Sequence, residues 1–116
     1  MKDKKLEERL ERLEELSKDF DNPKHDDGIK ADDGKIEWDL LSLKELEPMV
    51  RVLMFGAKKY AKDNWQKVQD GKTRYYNALM RHLSSYAAGE LTDSESGESH
   101  LAHALCNLYF LSWFNK

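Results

Sequence analysis

The feature that most constrains the fold is a helical spacing of apolar residues that recurs in four separate segments. Between Leu6 and Leu16, leucine returns every three or four positions on a charged background, which predicts an amphipathic helix over residues 3–18. Three further segments show the same period, residues 36–65, 73–88 and 98–115. No stretch alternates apolar and polar residues for long enough to predict a strand. The sequence therefore predicts an all-α protein, a small bundle of about four helices.

The second helix has an ambiguous start. Ser42 and Glu45 have the spacing of a capping box, but Pro48 would remove a backbone hydrogen bond inside a helix that began there. The helix therefore either begins near Glu47 or kinks at the proline. In the last two helices, residues at helical spacing are expected to face the core. They are Tyr76, Leu79, Met80, Leu83 and Ala87 in the third helix, and Leu101, Leu105, Leu108 and Leu111 in the fourth.

The first helix is predicted to be an addition to the main domain. Its leucine seam is narrow, and a narrow seam suits a partner helix in the same fold or in another subunit. We therefore expect residues 1–24 to serve packing in a homo-oligomer, and residues 25–116 to form the helical domain. Turn signals at residues 21–23 and 32–34 predict a linker over residues 19–35.

Composition excludes several classes of function. The chain has 116 residues and a formal net charge of −3, and no basic run dominates, so we expect no nucleic-acid partner. No apolar run approaches the ~20 residues that span a bilayer, and the N-terminus is charged from its second residue, so we expect neither a membrane span nor a signal peptide. The single cysteine, Cys106, fits a reducing cytosol, and we expect a cytoplasmic protein.

The chemically richest stretch joins the last two predicted helices. It holds three of the four histidines and four carboxylates, namely His82, Glu90, Asp93, Glu95, Glu98, His100 and His103. Gly89 is expected to end the third helix, because glycine tolerates the left-handed conformation common there. Such a cluster binds a metal, or binds phosphate through protonated histidines. The alternative is structural, since acidic loops are commonly only solvated and single helical histidines commonly pack.

The residue types include cations that could surround phosphates, carboxylates that could hold a metal, and imidazoles that could accept or donate a proton. We expect Glu90, Asp93 and Glu95 to hold a metal that lowers the pKa of a bound water. The expected catalytic, proton-transferring residues are His82, His100 and His103. The expected substrate-binding residues are Arg51, Lys58, Lys59, Asn64, Trp65, Arg81 and Asn107. Here the cations clamp phosphate and the indole stacks on a base, although the helix dipole alone also favours lysines at a helix C-terminus.

Three motifs resemble one protein family. They are DDGKIEWDLL at residues 32–41, RVLMFGAKKY at 51–60 with Asn64-Trp65, and the stretch from Arg81 through Gly89 to HLAHA at 100–104. They resemble the phage-encoded dATP/dGTP diphosphohydrolase N-terminal family, which is grouped with the MazG-like all-α nucleotide pyrophosphohydrolases. The likeness covers about residues 30–114.

The resemblance implies a nucleotide ligand and a hydrolase. A MazG-like nucleotide-binding domain over residues 25–116 would cleave dATP or dGTP between the α and β phosphates. The products would be a nucleoside monophosphate and pyrophosphate. The implied cofactor is Mg²⁺, or Mn²⁺, and the implied location is the cytoplasm of a phage's host.

One departure from MazG-like enzymes keeps other functions open. Those enzymes hold their metals with Glu-x-x-Glu and Glu-x-x-Asp pairs on two helices, whereas the corresponding helices here offer His82, His100 and His103. Histidines suit magnesium poorly, because this hard cation prefers oxygen ligands. The alternative is therefore a phage nucleotide-binding protein without turnover that sequesters a host signalling nucleotide. A structural oligomer built on the leucine seam is a third hypothesis.

Overall fold

The computed structural model describes residues 3–20 and 27–116, and this part of the chain is helical. Its α-helices are α1, Lys4–Phe20; α2, Glu47–Lys59; α3, Gly71–Ala87; and α4, His100–Phe114. Short 3₁₀ turns cover Trp38–Leu40, Leu43–Leu46 and Asn64–Lys67. Among the described residues there is no strand, only one antiparallel bridge between Thr92 and Ser99. The predicted all-α bundle of about four helices is confirmed.

The chain divides into two compact units, residues 1–41 and residues 42–116. The first unit contains α1, whose Arg12 donates a 2.8 Å hydrogen bond to Asp33 of the same unit. The second unit contains α2, α3 and α4. The predicted domain boundary after residue 24 and the predicted turn at residues 21–23 lie outside the described residues. None of the described helices is long and apolar enough to cross a bilayer.

The two alternatives for the second helix are resolved in favour of the later start. Helix α2 begins at Glu47 with Pro48 in its first turn. The N–H groups of a first turn have no partner within the helix, so the missing N–H of proline costs no hydrogen bond there. The capping box was wrong, because the Ser42 side chain makes no cap hydrogen bond and a 3₁₀ turn follows it. The helix also ends earlier than predicted, since Asp63 takes a left-handed φ of 61° before the next turn.

The core of the second unit lies where α4 packs against α2 and α3. Val52 of α2 meets Ala102 and Cys106 of α4, with Met49 and Phe110 packed around them. The Cys106 thiol donates to the backbone carbonyl oxygen of Met49 at 3.2 Å. Small side chains at these α4 positions let the helices approach closely.

The predicted core stripes were wrong for most of their members. On α4, Leu101, Leu105 and Leu108 are 40–50% exposed, and the buried residues lie beside them. On α3, only Leu79 of the predicted stripe is buried. For α4, the reason is that it has no Asp, Glu, Lys or Arg along its length. Without a charged face, the apolar spacing does not identify which side of the helix is buried.

Helices α3 and α4 run antiparallel, which brings the start of α4 to the end of α3. At one end, a Cβ atom on Gly71 would overlap the ring of Phe114, so α3 begins where α4 ends. At the other end, His82 Nδ1 lies 2.8 Å from His100 Nδ1. The loop between the two helices must therefore turn at the histidine end.

The exposed leucines of α4 are the basis for a proposal about assembly. Leu101, Leu105 and Leu108 are exposed on one face of α4, a helix without Asp, Glu, Lys or Arg. Leucines Leu6 and Leu10 of α1 are about half exposed as well. Because apolar faces of this kind are normally covered, we propose that the chain forms a homo-oligomer through the α4 leucine face.

Leu105→Glu is expected to weaken this assembly at least about tenfold, because an unpaired buried carboxylate costs more than ~1.4 kcal/mol. Light scattering coupled to gel filtration measures the mass. Leu43→Glu is the matched control, since Leu43 is an exposed leucine outside α4. A wild-type monomer at micromolar concentration would contradict the proposal. A Leu105→Glu variant that is still oligomeric would indicate that the interface lies on α1 and not on α4.

Candidate functional site

The loop between α3 and α4 is tightly folded by its own backbone hydrogen bonds. Asp93 N–H donates to the Glu98 carbonyl oxygen at 2.8 Å, and His100 N–H donates to the Leu91 carbonyl oxygen at 3.0 Å. The Ser99 hydroxyl accepts from the Leu101 N–H at 3.0 Å and caps α4. A free helix end would fray, so these contacts fix the first turn of α4 beside the end of α3.

The three predicted catalytic histidines meet at this point. His82 Nδ1 and His100 Nδ1 are 2.8 Å apart, and the rings of His82 and His103 stack with centroids 4.4 Å apart and an angle of 9° between planes. His100 is only 4% exposed. Asp93 completes the cluster, because one ligand atom each of His82, Asp93 and His100 lie within 4.8 Å of one another. The histidines and one predicted metal ligand are thus brought together.

Ser96 is the residue of this site that sequence reasoning missed. Its backbone N–H and its hydroxyl both donate to Asp93 Oδ2, at 2.9 and 3.0 Å, and its Oγ lies 2.7 Å from His103 Nε2. Since the hydroxyl proton is used on Asp93, the short contact requires His103 Nε2 to carry the hydrogen. His103 Nδ1 then holds the lone pair. The turn signal of an Asp three residues before a Ser-Gly pair was visible in the sequence.

The other predicted metal ligands lie at the edge of the cluster or outside it. Glu90 Oε1 is 3.5 Å from His100 Nε2 and its side chain is largely exposed. Glu95 is not brought to the histidines, because it accepts a 2.6 Å hydrogen bond from Lys59. Of the three predicted carboxylates, Asp93 alone lies within the compact group.

The predicted substrate-binding residues divide into two sets. A pocket of about 790 Å³ is lined by Lys59, Asn64, Trp65, Arg81, His82, His103 and Asn107. Lys58 is exposed and is not part of its lining. Arg51 is also outside the pocket and instead donates two hydrogen bonds, of 2.7 and 3.3 Å, to the Glu98 carboxylate. The pocket is large enough for a nucleotide, and it has two of the three histidines in its wall.

The pocket also contains two residues that the sequence interpretation omitted, Arg74 and Asn77 of α3. Together with the predicted Arg81 they follow one another at spacings of three and four, which places all three on one helical face. This polar spacing was the signal available in the sequence. Trp65 has one ring face covered, since it stacks on Phe110 with centroids 4.5 Å apart, so it contributes to an aromatic wall rather than standing alone.

Comparison with known proteins assigns a family. Residues 25–116 match the model described as dATP/dGTP diphosphohydrolase, N-terminal. The chain belongs to the dATP/dGTP diphosphohydrolase N-terminal family. A protein of Salmonella phage PMBT28 named dATP/dGTP diphosphohydrolase is 36% identical over 86 residues, which are 74% of this chain and 29% of that relative. The chain therefore spans less than a third of the relative's length, and no solved structure matches it.

In this family member, burial and neighbouring imidazoles lower the pKa values of His82 and His103. The pKa of His82 is lowered by burial first, then by the neighbouring His103 and His100. Burial also lowers the pKa of His103, although Asp93 acts in the opposite direction. For Asp93, burial favours the neutral form, but the hydrogen bonds from Ser96 outweigh it and lower the pKa of this carboxyl. The site therefore holds neutral imidazoles beside an ionised carboxylate near neutral pH.

These shifts predict how stability depends on pH in chelator-treated protein. The ordinary histidine pKa is 6.5. Because the folded pKa values of His82 and His103 lie lower, the unfolded chain binds more protons below that pH. Stability is then unaffected above about pH 7 and is lost as the pH falls through 6.5 towards the folded values. Asp93 adds a loss only at lower pH, when its own lowered pKa is crossed.

Thermal unfolding between about pH 7.5 and 5 measures this dependence. His103→Gln is expected to weaken the dependence of melting temperature on pH, since it removes one of the two histidines whose pKa is lowered in the folded chain. His25→Gln is the control, because it changes a histidine distant in sequence from the cluster. A melting temperature that stays constant or rises on acidification would contradict neutral, buried histidines.

Proposed function

We propose that this domain hydrolyses purine deoxynucleoside triphosphates, dATP and dGTP, between the α and β phosphates, releasing a monophosphate and pyrophosphate. The observation that carries the proposal is that His82 and His103 line the same pocket as Lys59, Arg74 and Arg81. Side chains able to transfer a proton and cations able to bind phosphate therefore share one cavity. The family membership and the name of the phage relative support the same activity. The substrate pool places this activity in the cytoplasm, that of the host if the chain is phage-encoded.

The cationic side of the pocket would bind the triphosphate. Arg74 and Arg81 lie on the same face of α3, about two turns apart, and both line the cavity. Guanidinium groups donate paired hydrogen bonds to phosphate oxygens and neutralise charge that grows as the anhydride breaks. Lys59 lines the pocket too, although it also holds Glu95.

The aromatic part of the lining would hold the purine and its sugar. Trp65, Tyr109 and Phe110 form an aromatic wall, against which a flat base stacks favourably. Asn64 and Asn77 also line the pocket and provide both donors and acceptors for base edges or sugar hydroxyls. Selection of adenine and guanine over pyrimidines would come from the larger stacking area.

His103 is the proposed general base for the attacking water. Ser96 holds its Nε2–H, so the lone pair at Nδ1 is the one able to accept a proton. The lowered pKa of His103 keeps the ring neutral at neutral pH, as a base requires. Asp93, fixed by Ser96, stabilises the imidazolium that forms, because it lies 3.6 Å from His103 Nε2.

A divalent metal would supply charge neutralisation and a more acidic bound water. Magnesium does not fit the buried donors of the cluster, which are two imidazole nitrogens and one carboxylate, since Mg²⁺ takes oxygen ligands and water. No step of the proposed reaction is therefore assigned to magnesium. Of the two ions expected from the sequence, Mn²⁺ suits this donor set better.

Product analysis tests the proposal. Untagged protein is incubated with each deoxynucleoside triphosphate and either Mn²⁺ or Mg²⁺, and the products are separated by anion exchange. We expect equal amounts of dAMP or dGMP and pyrophosphate. His103→Gln should lower kcat by about 10²–10⁴-fold, the usual contribution of a general base. Arg81→Ala should raise KM, and Lys72→Ala is its control, because Lys72 is an exposed α3 cation outside the pocket lining.

The alternative function, nucleotide binding without turnover, is favoured by the absence of MazG-like carboxylate pairs on α3 and α4. The same incubation separates the two. Tight binding of nucleotide with full recovery of intact triphosphate would establish a sequestering protein and contradict hydrolysis.

A further inference from the structure

The contact between His82 and His100 is the unusual feature of the site. Their Nδ1 atoms approach to 2.8 Å in a part-buried position. Two neutral imidazoles cannot both present a lone pair, or both present a hydrogen, at that distance. Either one shared proton or a cation must lie between the two nitrogens.

The far side of the His100 ring indicates which nitrogen is free to bind a cation. His100 Nε2 is fully buried and makes no hydrogen bond within the described residues, but it faces Glu90 Oε1 at 3.5 Å. Metal-bound histidines commonly direct their second ring N–H at a carboxylate, which fixes the tautomer. With its hydrogen on Nε2, His100 presents the Nδ1 lone pair towards His82.

Asp93 provides an oriented anionic donor beside the two rings. Two hydrogen bonds from Ser96 to Asp93 Oδ2 hold the carboxylate in place. One ligand atom each of His82, Asp93 and His100 lie within 4.8 Å of one another. Donors bound about 2.1 Å from one metal lie at most about 4.2 Å apart, so the observed spacing is already close to that of one shared cation.

We propose that His82 Nδ1, His100 Nδ1 and one Asp93 oxygen bind a single divalent first-row transition metal, such as Mn²⁺, Fe²⁺, Co²⁺ or Zn²⁺, in preference to Mg²⁺. Two imidazoles with one carboxylate are a donor set suited to these ions. Three protein ligands leave coordination positions open for water and for a phosphate oxygen. The inference rests on the proposed function, because it names the cation for the same site. Metal binding can nevertheless be measured on its own, without any nucleotide turnover.

Neighbouring donors are excluded from this set by their other contacts. His103 is not in the group whose ligand atoms lie within 4.8 Å of one another, and its Nε2 is engaged by Ser96. Glu95 is paired with Lys59. The buried Cys106 thiol is hydrogen-bonded to Met49, and burial raises its pKa to about 12, so it is not a thiolate ligand at neutral pH.

Metal titration of the untagged, chelator-treated chain of 116 residues tests the inference. Isothermal calorimetry with Mn²⁺, Co²⁺, Zn²⁺ and Mg²⁺ should give one transition-metal ion per chain. The Kd for Mg²⁺ should be at least about 100-fold weaker, because two of the three donors are nitrogens. Saturating Mn²⁺ should also raise the melting temperature, since it binds only the folded chain.

Single substitutions identify the ligands. His82→Asn, His100→Asn and Asp93→Asn should each weaken Mn²⁺ binding at least about 100-fold, because loss of even an outer contact costs 10–100-fold. Glu95→Gln is the matched control and should keep the wild-type Kd, because Glu95 is paired with Lys59 and is not one of the three proposed ligands. Should a ligand variant fail to fold, electron spin-echo spectra of Mn²⁺ on the wild-type chain provide the independent readout, with two imidazole nitrogens expected.

Tighter binding of Mg²⁺ than of Mn²⁺ would overturn the inference. So would loss of binding in Glu95→Gln with wild-type binding in His100→Asn, or a spin-echo spectrum without nitrogen. Transition-metal binding at His82 and His100 without turnover of any nucleotide would uphold this inference and reject the proposed function. Turnover at full rate in excess chelator, together with no Mn²⁺ binding by calorimetry, would uphold the hydrolase and reject the metal site.

Discussion

The 2.8 Å approach of His82 to His100 depends on close packing between α3 and α4, and the candidate site depends on that approach. A small residue makes the packing possible, because Gly71 at the start of α3 leaves room for the Phe114 ring of α4. Since interiors have few voids, a larger side chain at Gly71 would push the two helices apart. Ala102 and Cys106, which are almost fully buried, bring α4 close to Val52 of α2.

Around this contact, the charges of the loop are used in two ways. Glu95 and Glu98 pair with Lys59 and Arg51 and so tie the loop to α2. Such exposed pairs are each worth at most about 1 kcal/mol, so they orient the loop more than they stabilise the fold. Asp93 alone is directed inward, towards the histidines. One acidic segment therefore supplies both structural anchors and a chemical group, and only the structure distinguishes them.

Sequence reasoning predicted the four helices, because apolar residues at helical spacing indicate a helix with one face packed against another element. It did not predict which side of α4 is buried, since an uncharged helix lacks the polar contrast that marks an outer face. The histidine cluster was predicted from a helical hairpin, whose geometry follows from spacing alone. Ser96 was missed, as were Arg74 and Asn77, because hydroxyl and guanidinium groups acquire a role only through neighbours that the chain brings close after folding.

Crystals grown with Mn²⁺ and measured at the manganese absorption edge test the central claim most directly. The account predicts one strong anomalous peak in each chain, about 2.1–2.3 Å from His82 Nδ1 and His100 Nδ1 and within reach of Asp93. A peak among the carboxylates of Glu90 and Glu95, with the two imidazoles still in contact with each other, would contradict it.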